Sequence, residues 1–292
     1  MSSPYRIEGP ALISFSGGRT SAFMLHEILR AHDGVLPDDV HVTFANTGKE
    51  REETLRFVHE CSVRWGVNVR WLEWLPRTRQ TKLADRFQEV GYNSAARNGE
   101  PFAELVKRKG YLPNSQMRYC TIELKIRIMG EFMRTLGYKK WSNIIGLRYD
   151  EGMRVMKALD RNETGKERHT SVMPLSKAKV TVRDVRAFWG LQPFDLQLLS
   201  HEGNCDLCFL KGRGKRAEII RDRPELADWW MEMEMEMEMV GRAYKNSGNG
   251  NTFIIGEPYA DHRDAVMSSP MMDLPAPDDD EFDAECGLWC AA

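Results

Sequence analysis

Nowhere in the 292 residues does an apolar run approach the roughly 18 positions needed to cross a bilayer, which argues against a membrane-spanning helix. Charge of one sign is also scarce: 41 Lys and Arg face 43 Asp and Glu, for a net charge of −2. Such a balance carries no general attraction to nucleic acid, so any affinity of that kind needs a local patch. The opening residues, Met1 to Arg6, lack the charged-then-apolar pattern of a secretion signal. The expectation is a cytoplasmic protein with no membrane partner. In that reducing compartment the six cysteines serve as thiols or metal ligands rather than disulfides.

What remains is an ordinary globular composition, long enough for one large α/β domain or one domain plus an appendage. Strand-like runs at Ala11–Phe15, Val40–Ala45 and Val67–Leu72 alternate with helical patterns, the clearest from Glu52 to Trp65. Thr47 and Glu50 have the spacing of a capping box ahead of that helix. Residues 76–119 are basic and turn-rich, which predicts loops and short helices. A helix over Ile122–Leu136, a strand over Trp141–Gly146 and a helix over Thr181–Trp189 follow. The last carries capping-box spacing at Thr181 and Asp184, with Gly190 to end it. Strands alternating with helices of ten or more residues imply a mainly parallel sheet with helices on both faces.

Beyond Cys205 this alternation fades into a helical or irregular part, and the tail from Asp273 is acidic. The expected organisation is a nucleotide-binding α/β domain over 1–200 and a cysteine-bearing extension over 201–292. Within the extension, the alternating Met-Glu run from Met231 to Met239 reads as a helix started near Pro224. Its simplest account is a tolerated dipeptide expansion on a partly exposed face.

The first strand ends in Ser16-Gly17-Gly18-Arg19-Thr20-Ser21, where a helix pattern begins. Glycines let the backbone adopt positive φ and let an anion approach. The N–H groups and the positive dipole end of the helix then hold phosphate. Ser16, Thr20 and Ser21 add hydroxyls, and Arg19 adds charge. The spacing is neither Walker A nor Gly-x-Gly-x-x-Gly, so a plain strand-to-helix turn also fits these residues.

This loop resembles the pyrophosphate (PP) loop of the adenine nucleotide α-hydrolase superfamily, with Thr20 in place of the usual Asp. Further stretches resemble the 3′-phosphoadenosine-5′-phosphosulfate (PAPS) reductase branch, in the right order. They are "ANTGKEREET" (45–54), "YCTIELK" (119–125), "GLRYDEGMR" (146–154) and "MPLSKAKVTVRDVRAFW" (173–189). The resemblance spans about residues 11 to 210 and implies a flavodoxin- or Rossmann-like parallel sheet with the nucleotide at the strand C-termini. It implies phosphate contacts from 16–21, and ribose or adenine contacts from Asn46, Thr47 and Gly48. It also implies closure by Gly146, Arg148 and Arg154, whose guanidinium groups suit phosphate oxygens. ATP or PAPS is the implied nucleotide, with Mg²⁺ as a candidate ion.

Cys205-Asp206-Leu207-Cys208 has chelating spacing and needs two further ligands. The resemblance puts Cys120 in a segment that bears cluster cysteines in iron–sulfur sulfonucleotide reductases, and Cys290 or Cys286 would complete the set. A [4Fe–4S] cluster is implied by the family, while zinc fits the same ligands. Glu285-Cys286-Gly287-Leu288 also resembles the reductase tail whose cysteine is the nucleophile, although Trp289 stands where that tail has His. Cys61 reads as a buried structural thiol, and His201 as a solvent-exposed loop residue, with metal ligation beside Cys205 as its alternative. Lys107–Lys109 and Lys211–Arg216 read as solvated basic runs that would also suit an anion.

The sequence thus supports an enzyme, with Arg148 and Cys286 as candidate catalytic residues. ATP pyrophosphatase-type adenylating and sulfur-transfer chemistry leads. Sulfonucleotide reduction through Cys286 and a non-catalytic nucleotide sensor or partner subunit stand as alternatives. An acceptor (small molecule, tRNA or DNA) and a thiol reductant or sulfur-donor protein would be partners; oligomeric state is left open.

Overall fold

The computed structural model describes residues 3–199, 201–239 and 251–269. Its centre is β1, Ala11–Ser14, every residue of which is buried. A short apolar run buried on both faces is what a central parallel strand requires. Around it lie β2 (Val40–Asn46), β3 (Val69–Trp74), β4 (Phe87–Val90), β5 (Trp141–Ile144) and β6 (His169–Val172), in the order β4-β3-β2-β1-β5-β6. All neighbours are parallel except β3 and β4, which pair antiparallel. The five parallel strands therefore follow the Rossmann order rather than the flavodoxin order, 2-1-3-4-5.

The helices are α1 (Arg19–Ala31), α2 (Glu52–Trp65), α3 (Glu100–Lys109), α4 (Tyr119–Thr121), α5 (Ile128–Thr135), α6 (Gly152–Thr164), α7 (Pro174–Lys177), α8 (Val182–Trp189), α9 (Arg213–Asp222), α10 (Asp228–Met239) and α11 (Tyr259–Ser268). Between α4 and α5, Ile122–Arg127 forms a π turn, so the expected Ile122–Leu136 helix is continuous but widened at its start. One apolar core joins α1, α2 and α8 through Met24, Leu25, Phe57 and Trp189. The opposite core joins α3 and α5 to α9, α10 and α11 through Phe102, Phe132, Ile220, Trp230 and Tyr259. Helices cover both faces of the sheet, and a helical C-terminal part packs on one of them. No described helix is long and apolar enough to cross a membrane.

Local chemistry explains the agreements. Helix α2 has the expected bounds and ends at Gly66, which takes φ 62°. Helix α8 has the full capping box, with Asp184 Oδ2 accepting from both the N–H and the hydroxyl of Thr181. At 47–50 Glu50 Oε2 accepts from both the N–H and the hydroxyl of Thr47, but as a turn ahead of α2, whose N-cap is Arg51.

Other expectations needed the tertiary context. Strand β3 sits two residues later than its β-forming run, because its register is set by pairing Val42 with Val69 and Asn46 with Glu73. The basic 76–119 stretch holds an edge strand, β4, and the ten-residue α3. The Met-Glu run is helical, yet it is not a loosely tolerated surface: Trp230, Met233, Glu234 and Met237 are buried. Glu234 accepts N–H groups from Phe253 (3.0 Å) and Tyr259 (2.8 Å), fastening the segment before α11.

Nor are two expected surface features exposed. The His201 side chain is 14% exposed and sits 3.2 Å from Glu218. In the 211–216 run, Lys211, Lys215 and Arg216 are buried: Lys211 Nζ donates to the Cys205 carbonyl at 2.6 Å, and α9 turns Lys215 and Arg216 into the protein, where Arg216 pairs with Glu257 at 3.1 Å. Cys61 is fully buried as expected, and burial pushes its thiol well up.

Candidate nucleotide site at the strand switch point

From β1 the chain winds outward through β2 and β3, then returns to the other side of β1 to place β5 and β6. The carboxyl ends of β1 and β5 therefore open side by side with their connections diverging, where open α/β sheets make a ligand crevice. The loop after β1 is Phe15–Gly18. Gly17 takes φ 81°, and a Cβ there would lie 2.8 Å from Thr54 Cγ2 and 3.0 Å from Val58 Cγ2. Only glycine fits a left-handed turn pressed against α2 in this way. Gly18 is the N-cap of α1 and offers no capping side chain. A helix start whose N-cap is a glycine presents its backbone N–H groups and positive dipole end to an anion.

The hydroxyls of this loop are ordered among themselves. Ser16 Oγ and Ser21 Oγ are 2.9 Å apart, and Ser21 Oγ donates to the Gly18 carbonyl. Thr20 is 2% exposed, and its Oγ1 accepts from Arg148 Nη1 at 3.0 Å. Arg19 behaves differently from expectation. Its guanidinium forks onto Asp195 (2.8 and 2.5 Å), and its carbonyl accepts from Trp189 Nε1. Although burial raises the Asp195 carboxyl, the Arg19 fork and two backbone N–H groups hold it below its ordinary value. The Arg19 charge is directed to the 195–198 segment, and its contribution to a phosphate site falls to the backbone.

The loop after β5 meets this one directly. A Cβ at Gly146 would lie 3.3 Å from Ser21 Cα, so the two loops touch. Arg148 is 5% exposed and fixed by Asp150 at 3.0 Å as well as by Thr20. Glu151 lies between the two motif arginines, pairing with Arg154 and reaching the Arg148 N–H at 2.8 Å. The 146–154 motif is therefore a self-braced arginine clamp on α1's start.

The loop after β2 plays a bracing part. Asn46 is fully buried: its Nδ2 donates to Glu73 and to the Ala96 carbonyl, while its Oδ1 accepts from Gly48 N. Gly48, at φ 80°, packs 3.0 Å from Gly99 at its Cβ position and accepts the Gly99 N–H. Thr47 is held by Glu50 through both its N–H and hydroxyl, each at 2.8 Å. These three residues shape the wall, and the side-chain polar atoms of Asn46 and Thr47 are already engaged within the protein.

Several participants carried no sequence signal of their own. Asn204 Nδ2 donates to the Ser16 carbonyl at 2.9 Å, and its carbonyl accepts the Arg51 N–H. Asp206 N–H donates to Lys49, and Glu50 forms an isolated antiparallel bridge with Cys205. The Cys-x-x-Cys loop is thereby laid along the 49–51 segment, which puts Cys205 Sγ 3.8 Å from Glu50 Oε1. The same Glu50 oxygen pairs with Lys125 at 3.2 Å. Arg51 Nη1 is a buried donor without a hydrogen-bond partner among the described residues.

The sequence matches the model of the phosphoadenosine phosphosulfate reductase domain over residues 10–199, about two thirds of its length. The chain belongs to that family. Within the phosphoadenosine phosphosulfate reductase domain lie the glycine loop, the 46–48 wall and the arginine clamp, whereas Asn204 and the Cys-x-x-Cys loop lie just beyond it.

Two further proteins are similar over most of this chain. An uncharacterized nin region protein of Escherichia phage lambda is 29% identical over 231 residues, covering 74% of this chain and 71% of its own. An uncharacterized protein of Methanocaldococcus jannaschii is 24% identical over 233 residues, covering 77% of this chain but 41% of its own length.

The expected thiolate set is not assembled by the described residues. No group of three His, Cys, Asp or Glu side chains among them, Cys120, Cys205 and Cys208 included, is arranged to hold a metal ion. Cys286 and Cys290 lie outside the described residues.

Proposed function

We propose that this protein is an adenine-nucleotide enzyme that cleaves ATP between its α and β phosphates and passes the adenylyl group to an acceptor oxygen. The observation that carries the reading is the contact between the loops after β1 and β5. Gly146 lies against Ser21, and Arg148 is hydrogen-bonded to Thr20 at the start of α1. A pyrophosphate leaving group would take up the α1 amides, with Ser16 and Ser21 hydroxyls beside them. Charge developing on the bridging oxygen is then met by groups that are already oriented, which is where electrostatic catalysis gains most.

Arg148 would hold the transferred phosphate from the opposite loop, its angle fixed by Asp150 and Thr20. Mg²⁺, when bound with ATP, would supply further neutralisation of the phosphates. Sulfide-level sulfur from an outside donor protein would then attack the activated carbon of the acceptor, the C–S bond forming as the C–O bond to AMP breaks.

The Glu285-Cys286-Gly287-Leu288 tail favours a second reading, sulfonucleotide reduction. There the Cys286 thiolate attacks the sulfur of PAPS, the S–O bond to the nucleotide breaks, and an outside thiol reduces the enzyme-bound S-sulfonate to sulfite. Purified protein incubated with ATP and Mg²⁺, and separately with PAPS and a dithiol, distinguishes them. Pyrophosphate and AMP support the first reading, and sulfite lost in Cys286→Ser supports the second. Tight nucleotide binding with neither product would leave a sensor and overturn both.

A further inference from the structure

A second cleft, of about 570 Å³, opens where β5 and β6 begin rather than where they end. Trp141 and His169, the first residues of those strands, line it on one side. The π turn and α5, from Ile122 to Arg134, line it on the other. It is thus remote from the glycine loop at the strands' carboxyl ends. Its size is that of a small-molecule pocket. Six Lys and Arg against two Glu line it, in a chain whose net charge is −2.

Part of that charge is spent within the wall. Arg77 bridges Glu123 and Glu131, each at 2.6 Å, and Arg86 reaches Glu131 at 3.2 Å. Arg134, Lys166 and Arg168 instead stand exposed on the rim, and the exposed Lys139 and Lys140 extend the basic surface beside Trp141.

The interior has a different character. Ile122 and Ile126 give it an apolar side, and Ile122 is 38% exposed although large and hydrophobic. Trp141 is 6% exposed, yet its indole Nε1–H has no hydrogen-bond partner among the described residues. Cations along a rim and an apolar surface inside do not converge on one point, as the donors of a simple anion site would. Proteins hold single-stranded nucleic acid with this combination, tracking the phosphates with cations and packing bases on apolar surface.

We propose that this cleft binds single-stranded nucleic acid. Phosphates lie on Arg134, Lys166 and Arg168, and a base enters beside Ile122, Ile126 and the Trp141 indole. The inference is independent of the chemistry at the glycine loop.

The test is fluorescence anisotropy of full-length protein with labelled single-stranded DNA and RNA oligonucleotides across a salt series. Its variants are Trp141→Phe and the combined Arg134→Glu, Lys166→Glu, Arg168→Glu. Three phosphate contacts give a slope of log K against log salt of about −2 for a single strand. The triple variant is expected to weaken binding roughly tenfold or more and to flatten the slope. It should leave ATP binding and thermal stability unchanged, because all three side chains are exposed. Trp141→Phe should weaken binding without changing the slope.

DNA and RNA binding alike would assign recognition to the shared backbone and bases, and a preference for one would identify the ligand more closely. Equal binding by wild type and triple variant, or none at low salt, overturns the proposal. So does displacement by inorganic triphosphate as effective as displacement by unlabelled oligonucleotide, which would mark a small-anion site only.

Discussion

Replacing Gly17 by Ala probes the nucleotide site at its narrowest point. Two costs arise. At φ 81°, a Cβ costs about 1 kcal/mol, because L residues crowd their own backbone in the left-handed region. The new methyl would also sit 2.8 Å from Thr54 Cγ2, 3.0 Å from Val58 Cγ2 and 3.1 Å from Phe44 Cε2. These are buried groups that cannot retreat freely, and overpacking of this kind costs about 1 to 3 kcal/mol.

The sum, about 2 to 4 kcal/mol, lowers the melting temperature by roughly 3 to 7 °C in a chain of this size. Relief of the clash must displace the loop from α2, which disturbs the amides at the start of α1. Nucleotide affinity measured by calorimetry should therefore fall at least about tenfold, or 1.4 kcal/mol. Gly34→Ala is the matched control. Gly34 has φ 85° but nothing within 4 Å of its Cβ position. It should cost only the backbone penalty, about 1 kcal/mol, and leave nucleotide affinity unchanged. Equal melting temperatures and wild-type affinity in both variants would refute the steric argument and the loop's role together.

Other outcomes follow from buried groups elsewhere. Glu50→Ala removes the acceptor of the Thr47 N–H and hydroxyl and one partner of Lys125. A loss of about 3 kcal/mol in denaturant unfolding is expected, with Glu50→Gln retaining part of it. Burial pushes the Glu234 carboxyl up to about 7, from an ordinary value of 4.5. The folded state then holds that proton more tightly than the unfolded chain. The stability this confers is present below pH 4.5 and is lost as pH rises through 7, by about 3 kcal/mol. Unfolding free energies at pH 5 and 8 should show this loss, and Glu234→Gln should abolish it; an unchanged pH profile in the variant would refute the assignment. Cys61, fully buried with its thiol raised, should resist a thiol reagent at pH 8 until the protein unfolds. Labelling of native Cys61, mapped by mass spectrometry, would contradict this.

What the sequence determined by itself were the features whose causes are local. The β1 run, the glycine turn, the α2 bounds ending at Gly66 and the Thr181–Asp184 box depend on a few adjacent residues, so their signals survive without a fold. The resemblance likewise implied a nucleotide at the strand C-termini.

The tertiary structure decided which of those residues remain available. Arg19 looked like a phosphate ligand until Asp195, 176 positions away, took its guanidinium. Asn46 looked like a ribose contact until Glu73 and Ala96 used its amide. Lys215 and Arg216 looked like solvated charge until α9 buried them. Edge strand β4, with exposed Gln88 and Glu89 at its centre, lacks a strand-forming composition, and it forms because β3 offers it a ladder. Asn204 and Lys125 join the site through partners that packing supplies. A side chain's chemistry is written in its own residue, but whether its charge or donor is already satisfied depends on what distant segments bring within about 3 Å, and only the fold sets that distance.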